Sequence, residues 1–173
     1  MPKIVIKHQA THDPLTGLPN TRVAIDRIET ALKQAKRNDE LAAVFFLDLD
    51  GFKDVNDNFG HEAGDHVLCE VATRLVSCVR EVDTVARIGG DEFLLVLAGF
   101  KEAEHAEVIA EKVIKRVSQP IDFKGELLNV GVSIGIAIYP TNGDGSELLL
   151  KAADDAMYAT KKSGKNGYSF AEQ

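Results

Sequence analysis

Two adjacent acids, Asp91 and Glu92, interrupt an apolar pattern that is typical of a β-hairpin, RIGGDEFLLVL at residues 87–97. The turn itself needs only Gly89 and Gly90, because glycine reaches positive φ at no steric cost and lets the backbone reverse. The carboxylates are surplus to that turn. They are either solvated residues at the hairpin tip or members of a site that uses negatively charged oxygen atoms.

A second pair of acids ends a different apolar segment. The run LAAVFFLDLD, residues 41–50, predicts a central strand buried on both faces, and it stops at Asp48 and Asp50. Consecutive strands of one sheet are usually neighbours, so Asp48 is expected to meet Asp91 and Glu92. Carboxylates held together repel unless a cation compensates, and such oxygen ligands suit Mg²⁺, which can activate a hydroxyl and stabilise a pentavalent phosphorus. Taken alone, the strand-end acids are better explained as solvating residues.

Length and composition describe one domain of ordinary size. The chain has 173 residues, 45% of them hydrophobic and 27% charged, which allows a continuous core without disulfides or metal staples. No apolar run approaches the ~18 residues that span a bilayer, and the first residues lack the pattern of a signal peptide, so a cytoplasmic location is expected. The formal net charge of −7 argues against non-specific nucleic-acid binding. An anionic ligand would need local cations or a metal ion.

The apolar spacing predicts helices that alternate with strands. Asn20 is predicted to cap a first helix that ends near Arg37, and the segment VNDNFG after the first strand is interpreted as a loop. Further predicted elements are a helix over residues 61–80, the hairpin, a helix over residues 102–119, one long or two bent strands in LLNVGVSIGIAIYP, and a last helix capped by Ser146 with Gly164 near its end. This order predicts an α/β or α+β fold in which helices cover one sheet.

Five segments, taken together, resemble one protein family. They are DPLTGLPN, DLDGFKDVNDNFGHEAGD, RIGGDEF, SIGIAIYP and ADDAMYATKKSGKN, and in this order and spacing they are similar to the GGDEF family of diguanylate cyclases from about Thr11 to Tyr168. The resemblance implies a palm-like nucleotidyl cyclase fold, with a mainly antiparallel central sheet wrapped by helices. It also implies a linker remnant at residues 1–10, the GGDEF domain at residues 11–170 and a tail at residues 171–173.

In that family, two GTP molecules held on two opposed domains are condensed into cyclic di-GMP with release of two pyrophosphates. The resemblance therefore implies a nucleotidyltransferase that uses Mg²⁺ or Mn²⁺, with two ions expected per active site. Asp48 and Asp91 would be catalytic metal ligands, together with the backbone carbonyl of Leu49. Glu92 would be either a further ligand or the base that helps to deprotonate the 3′-hydroxyl, and the sequence leaves both roles open.

The motif match also assigns Asn56 and Asp65 to the guanine base. A carboxylate accepts from both donors on the Watson–Crick edge of guanine, whereas adenine would leave it facing an acceptor. Without the resemblance, Asn56 is more simply an Asx-turn residue of the predicted loop, and Asp65 an exposed acid in the first turn of a helix.

Basic residues near the end of the chain match the family's phosphate contacts. These are Lys161 and Lys165, while Phe52 and Lys53 lie in a predicted loop whose backbone amides should face the β- and γ-phosphates. The glycine pair at residues 89–90 would let the backbone approach the triphosphate. Lysines near a helix C-terminus also simply offset its dipole. Lysine at position 165, where the family often has arginine, keeps the charge but loses the fork geometry.

Arg80 and Asp83 form an RxxD pattern ahead of the glycine pair, at the spacing that the family uses for an inhibitory product site. The resemblance implies that an intercalated dimer of cyclic di-GMP binds there, with Arg87 as an additional contact. The alternative is a surface ion pair at a helix end, worth under about 1 kcal/mol.

Two departures from the family pattern, Thr21 and Thr160, avoid the proposed metal, base and nucleophile positions. Besides an active cyclase, the alternatives are a catalytically silent module that binds GTP or cyclic di-GMP, and an unrelated palm-fold enzyme acting on nucleic acid, which the acidic charge disfavours. Catalysis across two opposed domains implies a homodimer. It also implies a sensory or dimerising module in a longer chain.

Overall fold

The computed structural model describes residues 11–172, so the linker predicted at residues 1–10 lies outside the described residues. The helices are α1 (Thr21–Asn38), α2 (Phe52–Phe59), α3 (His61–Cys78), α4 (Glu104–Val117) and α5 (Ser146–Lys162). The strands are β1 (Leu41–Asp50), β2 (Thr84–Gly89), β3 (Glu92–Phe100), β4 (Ile121–Phe123), β5 (Glu126–Leu128), β6 (Gly131–Tyr139) and β7 (Gly167–Phe170). Within the described range, no helix combines the length and hydropathy that a membrane span requires.

Five strands form the central sheet in the order β2-β3-β1-β6-β7, and β4 pairs with β5 in a separate hairpin. All pairs of the central sheet are antiparallel except β6 with β7, which is parallel. Strand β1 is central, which explains its unbroken apolar run, because both faces are covered by helices. The predicted mainly antiparallel sheet with helices around it is confirmed.

Helices cover the two faces of the sheet in separate groups. On one face, α3 and α4 pack against β1 residues such as Phe45 and Leu47, all in one large apolar cluster. On the other face, Ile28 of α1 and Ala153 of α5 share a cluster with Val44 of β1. In this three-layer arrangement, the last residues of β1, the first residues of β3 and the last residues of α5 lie at one edge of the domain.

Helix α5 approaches the sheet closely at Gly135 of β6. A Cβ atom there would lie 1.9 Å from the carbonyl oxygen of Ala153 and 2.2 Å from the backbone nitrogen of Met157, so only glycine fits. The same contact is reinforced by Thr160, whose buried hydroxyl lies 2.9 Å from the Ile134 carbonyl oxygen. Thr160, a departure from the family pattern, therefore ties α5 to β6.

The segment VNDNFG is not a loop, contrary to the prediction. It belongs to α2, whose Val55 is buried, and whose N-cap Gly51 has a φ of 84° in the left-handed region. Burial of Val55 explains why a segment rich in Asn and Asp forms a helix here, since tertiary packing overrides weak propensity.

Several predicted boundaries also change. The last helix is capped by Gly145 rather than by the side chain of Ser146, which is its first residue. The apolar segment before it forms two strands, β5 and β6, which is one of the two predicted alternatives; β4, which precedes them, was not predicted. The turn between β4 and β5 has positive φ at Lys124 and Gly125, as two-residue hairpins require. The short parallel strand β7 was also not predicted.

Candidate active site

The register of the sheet brings together the acids from the two strand ends. Asp48 lies directly opposite Glu92 across the β1–β3 pair. The N–H of Leu49 donates to the carbonyl oxygen of Asp91 at 3.2 Å, which holds the hairpin tip beside β1. The hairpin loop contains only Gly90 and Asp91, and Gly90 has a φ of 49°. The prediction that these strands are neighbours is confirmed.

Burial and neighbouring carboxylates raise the pKa of Asp48 and of Glu92 at this edge. The pKa of Asp48 is raised to about 6, first by burial and then by the like charges of Asp91 and Glu92, while Lys161 opposes the shift. The pKa of Glu92 is also raised, by burial and then by the charges of Asp91 and Asp154. Carboxylates that repel in this way favour a cation between them.

The carboxylates at this edge fit a hard metal ion that takes some of its ligands from the protein and the others from water and a substrate. Among residues 11–172, no three His, Cys, Asp or Glu side chains lie close enough together to enclose an ion. Mg²⁺ commonly takes one or two carboxylates and completes its octahedron with water and substrate phosphates. Asp48 and Glu92, opposite each other with Asp91 alongside, supply an open set of that kind.

Lys161 of α5 reaches the same edge. Its Nζ lies 2.9 Å from Asp50 Oδ1 and 3.5 Å from Asp48 Oδ1. Burial acts to lower the pKa of Lys161, but the hydrogen bond to Asp50 and the charges of both aspartates raise it overall. A positive charge therefore lies beside the acids.

Asp50 is not the solvated strand-end residue that the sequence alone predicted. Its side chain is only 10% exposed, and it accepts from Ser133 Oγ at 2.8 Å and from the backbone N–H of Asn166 at 2.8 Å. The one sequence signal for this contact is a serine, Ser133, within the otherwise apolar run of β6, and the structure shows that it is fully buried. The sequence analysis predicted neither the burial of Asp50 nor its contacts with Ser133 and Asn166.

The two predicted guanine-binding residues lie on adjacent helices, Asn56 on α2 and Asp65 on α3. The Asn56 side chain lies over Gly64, where an added Cβ would come within 1.9 Å of Asn56 Oδ1. Asp65, the next residue, is exposed and its carboxylate faces solvent. The structure thus brings the Asn56 amide to the start of α3, beside Asp65.

The remaining predicted phosphate contacts lie at the two ends of helices. Phe52 and Lys53 form the first turn of α2, not a loop, so their N–H groups belong to a helix N-terminus that has no side-chain cap. Lys165 is exposed in the turn after α5, with a φ of 64°.

The chain matches the family described as "Diguanylate cyclase, GGDEF domain" over residues 10–167. It belongs to the GGDEF domain family of diguanylate cyclases. The match covers nearly the whole chain and includes the strand-end acids, Asn56, Asp65 and α5.

Relatives of this GGDEF domain include two proteins of Pseudomonas aeruginosa. MucR, a bifunctional diguanylate cyclase/cyclic di-GMP phosphodiesterase, is 49% identical over 163 residues, which is 94% of this chain and 24% of MucR. TpbB, a diguanylate cyclase, is 42% identical over 168 residues, which is 96% of this chain and 39% of TpbB. The chain therefore spans between a quarter and two-fifths of these relatives.

Solved structures share the fold. The crystal structure of the TpbB GGDEF domain superposes with a TM-score of 0.89 at 40% identity and covers 91% of this chain and 99% of that one. The GGDEF domain of DgcB from Caulobacter crescentus, solved in complex with c-di-GMP, has a TM-score of 0.86 at 30% identity, with coverage of 95% and 94%.

The RxxD residues of this GGDEF domain are paired with each other. Asp83 accepts from Arg80 Nε at 3.2 Å and Nη2 at 3.1 Å, and also from the backbone N–H of Ala98 at 3.0 Å. The Asp83 side chain is fully buried, whereas that of Arg80 is 41% exposed. The alternative of an ordinary surface ion pair is therefore wrong for Asp83. The exposed guanidinium borders a cleft of about 1010 Å³ along β2.

Arg87 connects the hairpin to the segment before α1. Its guanidinium donates to Asp13 Oδ1 at 2.8 Å and to the carbonyl oxygen of Gly90 at 2.8 Å. Burial acts to raise the pKa of Asp13, but hydrogen bonds from Thr16 and the charge of Arg87 lower it overall. Because the Arg87 side chain is only 14% exposed, its first role in the domain is to hold the hairpin turn.

Proposed function

We propose that this GGDEF domain is an active diguanylate cyclase, which condenses two GTP molecules into cyclic di-GMP and releases two pyrophosphates. The observation that carries the proposal is the meeting of Asp48 and Glu92 in register, with Asp91 alongside and Lys161 reaching Asp48 from α5. The similarity to MucR and TpbB supports it.

Asp48, Asp91 and Glu92 would hold Mg²⁺ or Mn²⁺, with the Leu49 carbonyl as a further ligand and two ions per site. When bound, the ions neutralise phosphate charge and make the 3′-hydroxyl more acidic. Glu92 would serve as a ligand or as the acceptor of the hydroxyl proton, and its raised pKa makes it a stronger proton acceptor than an ordinary glutamate.

The rest of the site orients the nucleotide. Asn56 and Asp65 would bind the guanine edge, where a carboxylate and an amide oxygen complement its two donors. The phosphates would meet Lys161, Lys165 and the free N–H groups of Phe52 and Lys53 at the start of α2, because both the charges and the helix dipole favour anions. Gly89 and Gly90 would leave room for the backbone to approach the triphosphate.

Each domain would bind one GTP, so catalysis would need two domains face to face in a homodimer. A sensory or dimerising module in a longer chain would control that encounter. The alternative is a silent module that binds GTP or cyclic di-GMP. The full set of acids favours the enzyme, because a pure binding module does not need all of them. The pKa values of Asp48 and Glu92 are raised by burial and by neighbouring like charges, which a cation would relieve.

Feedback by the product is part of the proposal. Cyclic di-GMP would bind at Arg80, with Asp83 fixing the guanidinium and Arg87 nearby. The cleft along β2, which Arg80 and Asp83 line, supports a ligand site there. The exposed part of Arg80 would stack on or donate to guanine.

The test is turnover of GTP in the presence of Mg²⁺, measured against protein concentration. We expect cyclic di-GMP formation whose rate rises with the square of the protein concentration, because two domains must meet. Asp48→Ala and Glu92→Ala should each abolish it. Asp155→Asn removes an exposed acid of α5 and serves as the control that keeps activity.

Robust product formation by both purified acid variants would contradict the assigned roles. Binding of GTP without turnover at any protein concentration would establish the silent module instead.

A further inference from the structure

Asp50 is a buried carboxylate to which the proposed chemistry gives no task. It lies two residues after Asp48 on β1, and therefore on the same face of the strand. Burying a carboxylate is costly unless charges and hydrogen bonds compensate it. The structure provides that compensation in full, from three separate parts of the chain.

Three donors reach Asp50. Ser133 Oγ of β6 donates at 2.8 Å, Lys161 Nζ of α5 at 2.9 Å, and the backbone N–H of Asn166, in the turn after α5, at 2.8 Å. Two of these donors belong to the segment that carries the proposed phosphate-binding lysines. Asp50 is thus the point at which that segment is attached to the end of β1.

The first consequence concerns the side chain of Lys161. Its Nζ lies closer to Asp50 than to Asp48, at 2.9 Å against 3.5 Å. Of the carboxylates paired with Lys161 in the described part of the chain, only Asp48 would be left if Asp50 lost its charge. The ammonium would then pair with Asp48 alone, whose oxygen atoms the proposed metal needs.

The second consequence concerns the turn that carries Lys165. Lys165 and Asn166 both have positive φ, at 64° and 44°, which is uncommon for residues other than glycine. Asn166 is held there by its N–H to Asp50 and by its side-chain Oδ1, which accepts from the Val132 N–H at 3.2 Å and from Ser118 Oγ at 3.1 Å. Asp50 is therefore one of the contacts that hold the backbone of this turn.

We infer that Asp50 is a positioning residue for triphosphate binding: it shares Lys161 with Asp48 and holds the ammonium nearer to itself, and it anchors the turn of Lys165. The inference rests on the proposed function for the identity of the nucleotide. It concerns the phosphate end of the site and leaves guanine recognition at Asn56 and Asp65 unaffected.

The experiment compares Asp50→Asn with the unchanged protein in two titrations. Inorganic tripolyphosphate with Mg²⁺, followed by calorimetry, reports the phosphate end, and guanosine, followed by NMR shifts, reports the base end. We expect the affinity for tripolyphosphate to fall roughly tenfold, as for other residues that orient a binding group. Guanosine affinity should not change, and KM for GTP should rise more than kcat falls.

Three further variants make the result specific. Asp155→Asn removes the same charge from the exposed face of α5 and should bind tripolyphosphate normally. Ser133→Ala keeps the Asp50 carboxylate but loosens it, so a smaller loss in the same direction is expected even if Asp50→Asn folds poorly. If Asp50 acts through Lys161, the effects of Asp50→Asn and Lys161→Ala should not add in the double variant.

A folded Asp50→Asn protein that binds tripolyphosphate as tightly as the unchanged protein would overturn the inference. Additive effects of the Asp50 and Lys161 substitutions would overturn it too. Failure of the unchanged protein to make cyclic di-GMP would instead overturn the proposed function, whatever the titrations with tripolyphosphate and guanosine give.

Discussion

Replacement of Asp48 by asparagine is expected to stabilise the metal-free protein above neutral pH while it abolishes activity. Burial and the charge of Asp91 raise the pKa of Asp48 from 3.8 to about 6. A group whose pKa is higher in the folded than in the unfolded state adds stability below the unfolded pKa, and loses it as pH rises through the folded pKa. Ionised Asp48 therefore destabilises the fold above about pH 6, and asparagine carries no such charge.

The size of this effect follows from the pKa shift. A rise from 3.8 to about 6 is roughly two pKa units, which corresponds to at most about 3 kcal/mol in the free energy of unfolding. The Asp48 side chain is 20% exposed, and water screens the repulsion, so about 1.5 kcal/mol is expected. For a chain of 173 residues this raises the midpoint of thermal unfolding by about 3–6 °C.

The assay is urea unfolding of both proteins in EDTA across a range of pH. The difference in the free energy of unfolding should be near zero at about pH 4 and should grow until it levels off above about pH 7. Saturating Mg²⁺ should then stabilise the unchanged protein and not the variant, because a bound ligand stabilises only the form that binds it.

Asp155→Asn is the matched control, since Asp155 is an exposed acid paired with Lys151 at 3.1 Å within the same helix. It should leave the free energy of unfolding unchanged at every pH. A difference between the Asp48 variant and the unchanged protein that does not depend on pH would refute the electrostatic account. So would a variant less stable than the unchanged protein above about pH 7.

Two further substitutions test other parts of the structure. Gly64→Ala adds a Cβ that would lie 1.9 Å from Asn56 Oδ1, so the Asn56 side chain would be displaced. Stability should change little, because alanine favours a helix over glycine by about 1 kcal/mol and this offsets the cost of the displacement. The affinity for guanosine should fall roughly tenfold because the hydrogen bond from Asn56 is lost, whereas the affinity for tripolyphosphate should not change. Titration with both ligands measures the two affinities, and equal losses for the two ligands would contradict this prediction. Arg80→Ala should relieve inhibition by cyclic di-GMP, but it also takes the guanidinium from the buried Asp83 side chain and should destabilise the protein by about 1 kcal/mol. The loss is limited because Asp83 keeps the backbone N–H groups of Arg80 and Ala98. Inhibition and thermal unfolding are therefore measured together. Arg80→Lys is the control, because it keeps a positive charge beside Asp83 without the guanidinium fork. An unchanged melting temperature for Arg80→Ala would contradict the pairing of Arg80 with Asp83.

Much of the fold was predictable because its apolar patterns are long. The unbroken run of β1 predicted its bounds, since a strand buried on both faces admits almost only apolar residues. Helix α2 was missed because its eight residues include Asn and Asp, which favour turns when considered locally. Strands β4 and β7 are too short, at three and four residues, to show a period of their own.

The candidate site divides in the same way. Asp48, Asp91 and Glu92 stand out in the sequence because each acid ends or interrupts an apolar segment, and the resemblance of the surrounding motifs to one family gave each of them a role. Their order along the chain also placed them on adjacent strands. The sequence by itself therefore determined the family, and it predicted that these three acids lie together at one edge of the sheet.

Only the tertiary structure decided which groups balance the negative charges at this edge of the sheet. Asp50, Ser133, Lys161 and Asn166 are separated by up to 116 positions and meet at one carboxylate. The Asp83 side chain is buried although that of its partner Arg80 is 41% exposed. No local pattern encodes such contacts, because burial and electrostatic compensation arise only when β1, β6 and α5 pack together. Chemical type is a property of single residues, whereas charge balance is a property of the folded neighbourhood.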